Sequence, residues 1–313
     1  MLSRTANNLF WLARYLERAE NIARVLDVGL RMSSMGFATD DDTVEWHSAI
    51  VASGCEQGFY GKHERADAAA AIHYLARDPD NPSSIIACLQ TARQNSRAVR
   101  TALTTDMWEG VNATWLEAST LSDSHFSVEK VRGVLDWVKE RSLQFNGAVA
   151  NTMLRTDAYW FMRLGTFVER ADNTARILDV KYHVLLPDYE RVGGTLDYYQ
   201  WTAILRAVSA LRSYHWVYKR QLEPWAVAEL LILRPEMPRS LRSCFDEIAR
   251  YLDAIGQAYG VVGECQRQAG QLQARLRFGK IDEVFRIGLH EFLTEFIDKT
   301  DELGDEISDL YLS

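Results

Sequence analysis

The chain has little of what breaks a helix and little of what performs chemistry unaided. Its 313 residues include only 6 prolines and 18 glycines. Helix-interrupting residues are therefore thinly spread, and long helices are expected. The four cysteines, Cys55, Cys88, Cys244 and Cys265, stand far apart with no C-x-x-C pair. That spacing excludes a redox or zinc motif and points to reduced, structural thiols. No stretch approaches the ~20 apolar residues of a membrane span, and the N-terminus lacks the apolar run of a secretory signal. A soluble, cytoplasmic protein is expected. Lys and Arg total 35 against 43 Asp and Glu, a net charge of −8, and no basic block stands out. This argues against non-specific binding to nucleic acid or anionic membrane.

The chemical motifs are missing too. None of the seven histidines has a glutamate three residues before it, so the Glu-x-x-His pairs of di-iron bundles are absent. His–Cys zinc spacing, G-x-S-x-G and the phosphate-binding G-x-x-x-x-G-K-[ST] are also absent. No metal and no cofactor is expected on this chain, although a carboxylate-only Mg²⁺ site using Glu17, Glu169 or Glu109 is a remote alternative.

What is present is a repeat. Tyr15-Leu16-Glu17-Arg18-Ala19-Glu20-Asn21-Ile22-Ala23-Arg24-Val25-Leu26-Asp27-Val28 returns as Phe167-Val168-Glu169-Arg170-Ala171-Asp172-Asn173-Thr174-Ala175-Arg176-Ile177-Leu178-Asp179-Val180. The charged letters match as well as the apolar ones, which a merely shared core would not require. Other landmarks recur: Trp46 matches Trp201, and the hinge around Pro79 and Pro82 matches Pro235 and Pro238.

The apolar residues follow a helical period. Leu9, Leu12, Leu16, Ala19, Ala23, Leu26 and Leu30 make one stripe. Further helices are expected over Thr43–Tyr60 after Asp40-Asp41-Asp42, over Arg65–Arg77, from a cap at Ser83 to about Leu103, over Met107–Ala118, from Val128, after His125-Phe126-Ser127, to about Asn151, and over Ile281–Tyr311. No period-2 run bounded by turn residues suggests a strand. The expectation is an all-α, pseudo-twofold bundle of two roughly six-helix repeats, residues 1–154 and 155–313, packed as one unit.

Three readings of the repeated signature remain open. Its charges sit on a flank beside the apolar stripe, with Glu20–Arg24 and Asp172–Arg176 spaced i,i+4 in the favourable acid-first order. They form a solvated ladder of weak pairs, or a buried set in which Glu17 of one copy meets Arg170 or Arg176 of the other, or a polar cavity for an anionic or zwitterionic ligand. Candidate binding residues are Arg18, Asn21, Arg24, Arg170, Asn173 and Arg176, with Glu17 and Glu169 as candidate acids or bases. A second polar stretch adds Arg97, on one face with Arg93 and Arg100, followed by Glu109 and Asn112. Arg93 reads best as a solvated basic residue.

These residues together resemble the alpha-E proteins, a bacterial all-helical family named for its Glu-Arg motif. The opening Met1-Leu2-Ser3-Arg4-Thr5-Ala6-Asn7-Asn8-Leu9-Phe10-Trp11-Leu12-Ala13-Arg14-Tyr15-Leu16-Glu17-Arg18-Ala19-Glu20 carries the resemblance. So do Ala92 to Asn112, Phe167 to Asp179 and Pro238-Arg239-Ser240, which adds Arg239 to the candidate binding residues. Gly165-Thr166 departs from the family's frequent Gly-Arg pair, so a supporting arginine is missing there. The resemblance implies a partner: a circularly permuted ATP-grasp protein, with a transglutaminase-like peptidase often as third member. The ligase would use ATP and Mg²⁺ to join a carboxylate to an amine in making or modifying a peptide. The alpha-E member would be a non-catalytic or substrate-holding partner. The alternatives are an enzyme acting on a peptide or activated acyl group, and a purely structural helical protein.

Overall fold

The computed structural model describes residues 1–34, 43–183 and 194–313; the expected helix start at Asp40-Asp41-Asp42 lies outside them. Among the described residues there are fifteen α-helices and no strand. The first half holds α1 (Ser3–Ser33), α2 (Thr43–Ala52), α3 (Glu56–Tyr60), α4 (Ala68–Ala76), α5 (Ile85–Ala98), α6 (Thr105–Ala118) and α7 (Val131–Thr152). The second holds α8 (Asp157–His183), α9 (Thr195–Ala207), α10 (Leu211–Tyr218), α11 (Pro224–Ile232), α12 (Leu241–Tyr259), α13 (Glu264–Phe278), α14 (Ile281–Ile287) and α15 (Leu289–Ile307). The two stretches thus carry seven and eight helices rather than about six, in part because expected helices are cut. Thr43–Tyr60 breaks at Gly54, whose φ of +69° is left-handed. Ile281–Tyr311 breaks at Gly288, with φ of +109°, and its last turn widens into a π-helix at Ser308–Leu312. The helix expected to reach Leu103 ends at Ala98 and gives way to a 3₁₀ turn at Arg100–Ala102.

The two proline hinges each end in a serine cap. Ser84, not Ser83, accepts from the Ala87 N–H, and Ser240 accepts from the Ser243 N–H. Each satisfies one orphan donor in the first turn, at a typical worth of ~1 kcal/mol. Aligning the hinges on these caps places Ser83 opposite Arg239.

Helices α1 and α8 lie against one another at the centre. On α1 pack α5 and α7; on α8 pack α12 and α15. Helix α2 contacts α8 as well as α1, and α9 contacts α1 as well as α8. One apolar core runs through both halves. The close approach of α1 and α8 depends on Gly165: a Cβ there would collide with the backbone carbonyl of Phe10.

Candidate functional site: the paired Glu-Arg motifs

Enclosure by α5, α7, α8 and α9 buries α1 on nearly every side. The charges beside the apolar stripe are therefore inside, which removes the solvated-ladder reading: Glu17, Glu20, Asn21, Arg24 and Asp27 are all buried. On α8, Glu169, Asp172 and Asn173 are buried as well. A solitary carboxylate at such depth would cost several kcal/mol, so partners are obligatory.

The partners come from the opposite copy. Arg170 clamps Glu17 with two parallel bonds, Nε to Oε1 at 2.8 Å and Nη2 to Oε2 at 2.8 Å. Arg18 clamps Glu169 in the same way, at 2.6 and 3.0 Å. Each Glu-Arg pair thus exchanges with its repeat across the α1–α8 contact. A second guanidinium completes each site. Arg14 donates to Glu169 at 2.7 Å, and Arg239 donates to Glu17 at 3.1 Å and also to Glu20. Counting along the repeat from Arg14 reaches Thr166, whose hydroxyl donates to the Met162 carbonyl. The arginine missing from position 166 is thus made good by Arg239, which arrives from the loop before α12.

Glu20 also takes bonds from Arg24 Nε at 2.9 Å and from the Ser142 hydroxyl of α7. The far side of Arg24 donates to the carbonyl of Ala207, the last residue of α9, a cation where the helix dipole is negative. Asn173 donates to the Glu169 carbonyl at 2.6 Å. Asn21, its counterpart, is buried with neither amide atom bonded. Arg176 stays on its own helix with Asp172 at 2.8 Å and reaches Asp301 at 3.6 Å.

These surroundings fix the charge states. Burial alone would push the Glu17 carboxyl up, but Arg170 and then Arg239 outweigh it and hold it at about 2. Burial acts on Glu169 in the same direction, and Arg18 and Arg14 bring it down to about 2. A carboxylate so acidic, with its oxygens engaged by arginines, is a poor proton acceptor or donor near neutrality. By direct ion pairs, Arg14 and Arg18 meet Glu169, and Arg24, Arg170 and Arg239 meet Glu17 and Glu20, so each set carries one more guanidinium than carboxylate. Burial holds the Arg239 guanidinium below its ordinary value, with Glu20 opposing the shift and Arg24 adding to it.

The structure places Arg18 with Glu169 in one buried set and Glu17 with Arg170, Arg239 and, through Glu20, Arg24 in a second, both across the α1–α8 contact, with Asn21 and Asn173 on the same helices. It leaves Arg97 and Glu109 exposed and apart from both. Asn112 is half-buried and accepts from Arg93 Nε at 3.0 Å, so Arg93 is tied down rather than freely solvated. Arg14 was not singled out from sequence, although it lies three residues before Glu17 in the motif. In the sequence Cys88 and Cys244 are simply scattered thiols. They occupy the same place four residues past the serine caps of α5 and α12, and burial pushes both thiols up to about 12 against the pull of Arg18 and Arg170.

A Glu-Arg motif is also the feature by which one family is described: Alpha-E, a predicted alpha-helical domain with a conserved ER motif, whose profile matches residues 1–312. The chain belongs to the Alpha-E family. Uncharacterised proteins of Mycobacterium bovis and Mycobacterium tuberculosis are 24% identical to it over 318 residues, covering 94% of this chain and 35% of each relative. This Alpha-E chain therefore spans about a third of the length of the curated relatives it matches. No solved structure matches it.

Elsewhere, a cleft of about 720 Å³ is lined by Tyr198, Tyr199, His215, Lys219 and Arg220. Asp179, His183 and His290 converge at the C-terminal end of α8. No helix among the described residues is long and apolar enough to cross a membrane.

Proposed function

We propose that this Alpha-E chain is a non-catalytic helical partner of a circularly permuted ATP-grasp amide ligase in the synthesis or modification of a peptide. A transglutaminase-like peptidase would be a further member of the system. The observation that carries this reading is the reciprocal exchange of Glu17–Arg170 and Glu169–Arg18, which commits the motif's acids to arginines and leaves them no proton to move. In this reading the motif is an interlock between two halves, residues 1–154 and 155–313, related by a pseudo-twofold repeat. ATP and Mg²⁺ belong to the ligase. The mycobacterial relatives, in which the matching unit is about a third of the chain, favour a helical unit working beside further polypeptide. The test is thermal unfolding and co-purification of the wild-type chain with the ATP-grasp protein from the same genome, with and without ATP. Complex formation with raised melting temperature is expected. A ligase fully active alone, forming no complex, would overturn the reading.

A second, substrate-holding reading is favoured by the two excess positive charges and by the unbonded amide of Asn21. An anionic group, a carboxylate or phosphate, would offset one of these charges and accept from the Asn21 amide nitrogen. Inorganic phosphate or a glutamate-containing peptide should then raise the melting temperature of the wild type but not of Arg239→Met. Equal shifts in both proteins would remove this reading and leave the interlock.

A further inference from the structure

We propose that Asp179, His183 and His290 form a binding site for a divalent transition-metal ion of the zinc class. The site lies at the end of α8, away from the Glu-Arg network. Asp179 and His183 are one helical turn apart in the last turn of α8, and His290 is the second residue of α15. Their ligand atoms all lie within 4.8 Å of one another. His290 Nδ1 is 2.8 Å from Asp179 Oδ1, and His183 Nε2 is 3.4 Å from Asp179 Oδ2. Donors around a tetrahedral zinc ion sit about 3.3 Å apart, given bonds of ~2.0–2.1 Å. Seating an ion therefore needs Asp179 and His290 to part slightly and the two imidazoles to close to about that separation from within 4.8 Å.

The internal repeat supplies the decisive comparison. Asp27 is the counterpart of Asp179 in the repeated motif, and Arg31 stands where His183 stands. Arg31 binds Asp27 at 3.0 Å, and Lys139 of α7 approaches it at 3.7 Å. Helix α7 packs on α1 as α15 packs on α8. In the first half, then, the buried aspartate is neutralised by two permanent cations from its own helix and from the flanking helix. In the second half an imidazole, His183, stands at the place of Arg31, and the flanking helix α15 supplies a second imidazole, His290, where α7 supplies Lys139. A simple ion pair is served better by arginine or lysine. Imidazole differs in losing its proton near neutrality and then offering a lone pair. Two neutral imidazoles and one carboxylate make a ligand set that suits zinc, iron(II), cobalt(II) or nickel(II) rather than magnesium or calcium.

The surroundings hold the ligands in place. The Tyr182 ring lies parallel to His290 at 3.7 Å between centroids, with only 4° between planes, and fixes the imidazole's orientation. Gly288, left-handed at φ +109°, breaks the chain so that α15 starts at this point. The ligand side chains retain 12%, 20% and 27% of their exposure. An ion bound by three protein ligands would therefore keep a coordination position toward solvent, as open zinc sites do.

The test is zinc titration of the untagged full chain after chelator treatment, by calorimetry near neutral pH, with cobalt(II) absorption as a second readout. One ion per chain is expected, in a site whose cobalt spectrum reports nitrogen ligation. His290→Gln should weaken zinc by more than about 10-fold, the cost of losing even a supporting partner of a metal ligand. His183→Arg rebuilds the arrangement around Asp27, so it should fold with an unchanged or raised melting temperature while losing the ion. Zinc binding by His183→Arg with wild-type affinity and stoichiometry would overturn the proposal. So would failure of the wild type to bind zinc more tightly than the His183→Arg/His290→Gln double variant.

Discussion

Glu17 and Glu169 are each held by two guanidiniums, but the second one reaches them differently, and this sets a ranking of substitutions. Arg14 comes from the repeat itself, whereas Arg239 comes from the hinge loop and divides itself between Glu17 and Glu20. Removing a carboxylate strands buried guanidiniums, so Glu17→Gln and Glu169→Gln should each destabilise by roughly 3–5 kcal/mol. Arg170→Met should cost nearly as much, because Glu17 would keep only the shared Arg239. Arg239→Met should cost distinctly less, because Arg170 and Arg24 still hold the two glutamates and one excess positive charge is removed. Urea denaturation of the four variants checks the order; an Arg239→Met cost equal to that of Arg170→Met would refute it. The same pairs predict the acid limb. Both carboxyls are lowered from 4.5 to about 2, so their stabilisation is complete above about 4.5 and is lost as pH falls toward 2. Melting temperature followed downward from neutrality should therefore fall steeply through that window in the wild type. The gap to Glu169→Gln should narrow there, and a gap constant with pH would show that these carboxyls do not govern acid unfolding.

At the level of helices, the contact between α1 and α8 carries the reciprocal exchange, and its spacing rests on Gly165. Gly165→Ala drives a methyl into the Phe10 carbonyl, with backbone on both sides unable to step aside. A loss of about 1–3 kcal/mol is expected from such overpacking. Gly270, exposed inside α13 with nothing within 4 Å of where a Cβ would sit, should respond oppositely. Gly270→Ala should gain up to ~1 kcal/mol from helix propensity. Calorimetric melting of the two variants would expose a wrong account of α1–α8 packing if both moved the same way. These contacts also show what the sequence made legible. The apolar period, the proline hinges and the doubled signature marked out most helices, and the reciprocal pairing of Glu17 with Arg170 was among the readings it allowed. The depth of α1 was not legible, because a charged stripe beside an apolar one looks the same whether water or a second charged helix faces it. The breaks at Gly54 and Gly288 were hidden because an isolated glycine does not declare a left-handed φ. The shift of the cap from Ser83 to Ser84 turned on one residue between two chemically identical candidates. His290 could not be joined to Asp179 from spacing, since 111 residues separate them and only the placement of α15 beside α8 brings them together.

Over the whole molecule, the exchange makes each half the electrostatic complement of the other. Residues 1–154 contain Glu17, Arg14 and Arg18 but not the Arg170 and Arg239 that neutralise Glu17; residues 155–313 contain Glu169 without Arg14 or Arg18. Separated, each half would expose one face of its central helix with charges designed for burial among foreign partners, alongside the apolar residues that surround them. Hydrating the charges does not remove the cost of the apolar surface, and collapsing that surface would bury unpaired charges. Neither half should therefore fold cooperatively alone, even though each has enough residues for a domain. Expressed separately, residues 1–154 and 155–313 should give broad, non-cooperative thermal transitions and bind a hydrophobic dye; mixed during refolding, they should regain a sharp transition and elute as one heterodimer. The rescue should also be charge-specific. A first half carrying Glu17→Arg should fail to pair with the wild-type second half but recover, in part, with a second half carrying Arg170→Glu. A sharp melting transition from either half alone would mean that the interlock joins two finished domains, and that the Glu-Arg motif evolved for something other than holding one core together.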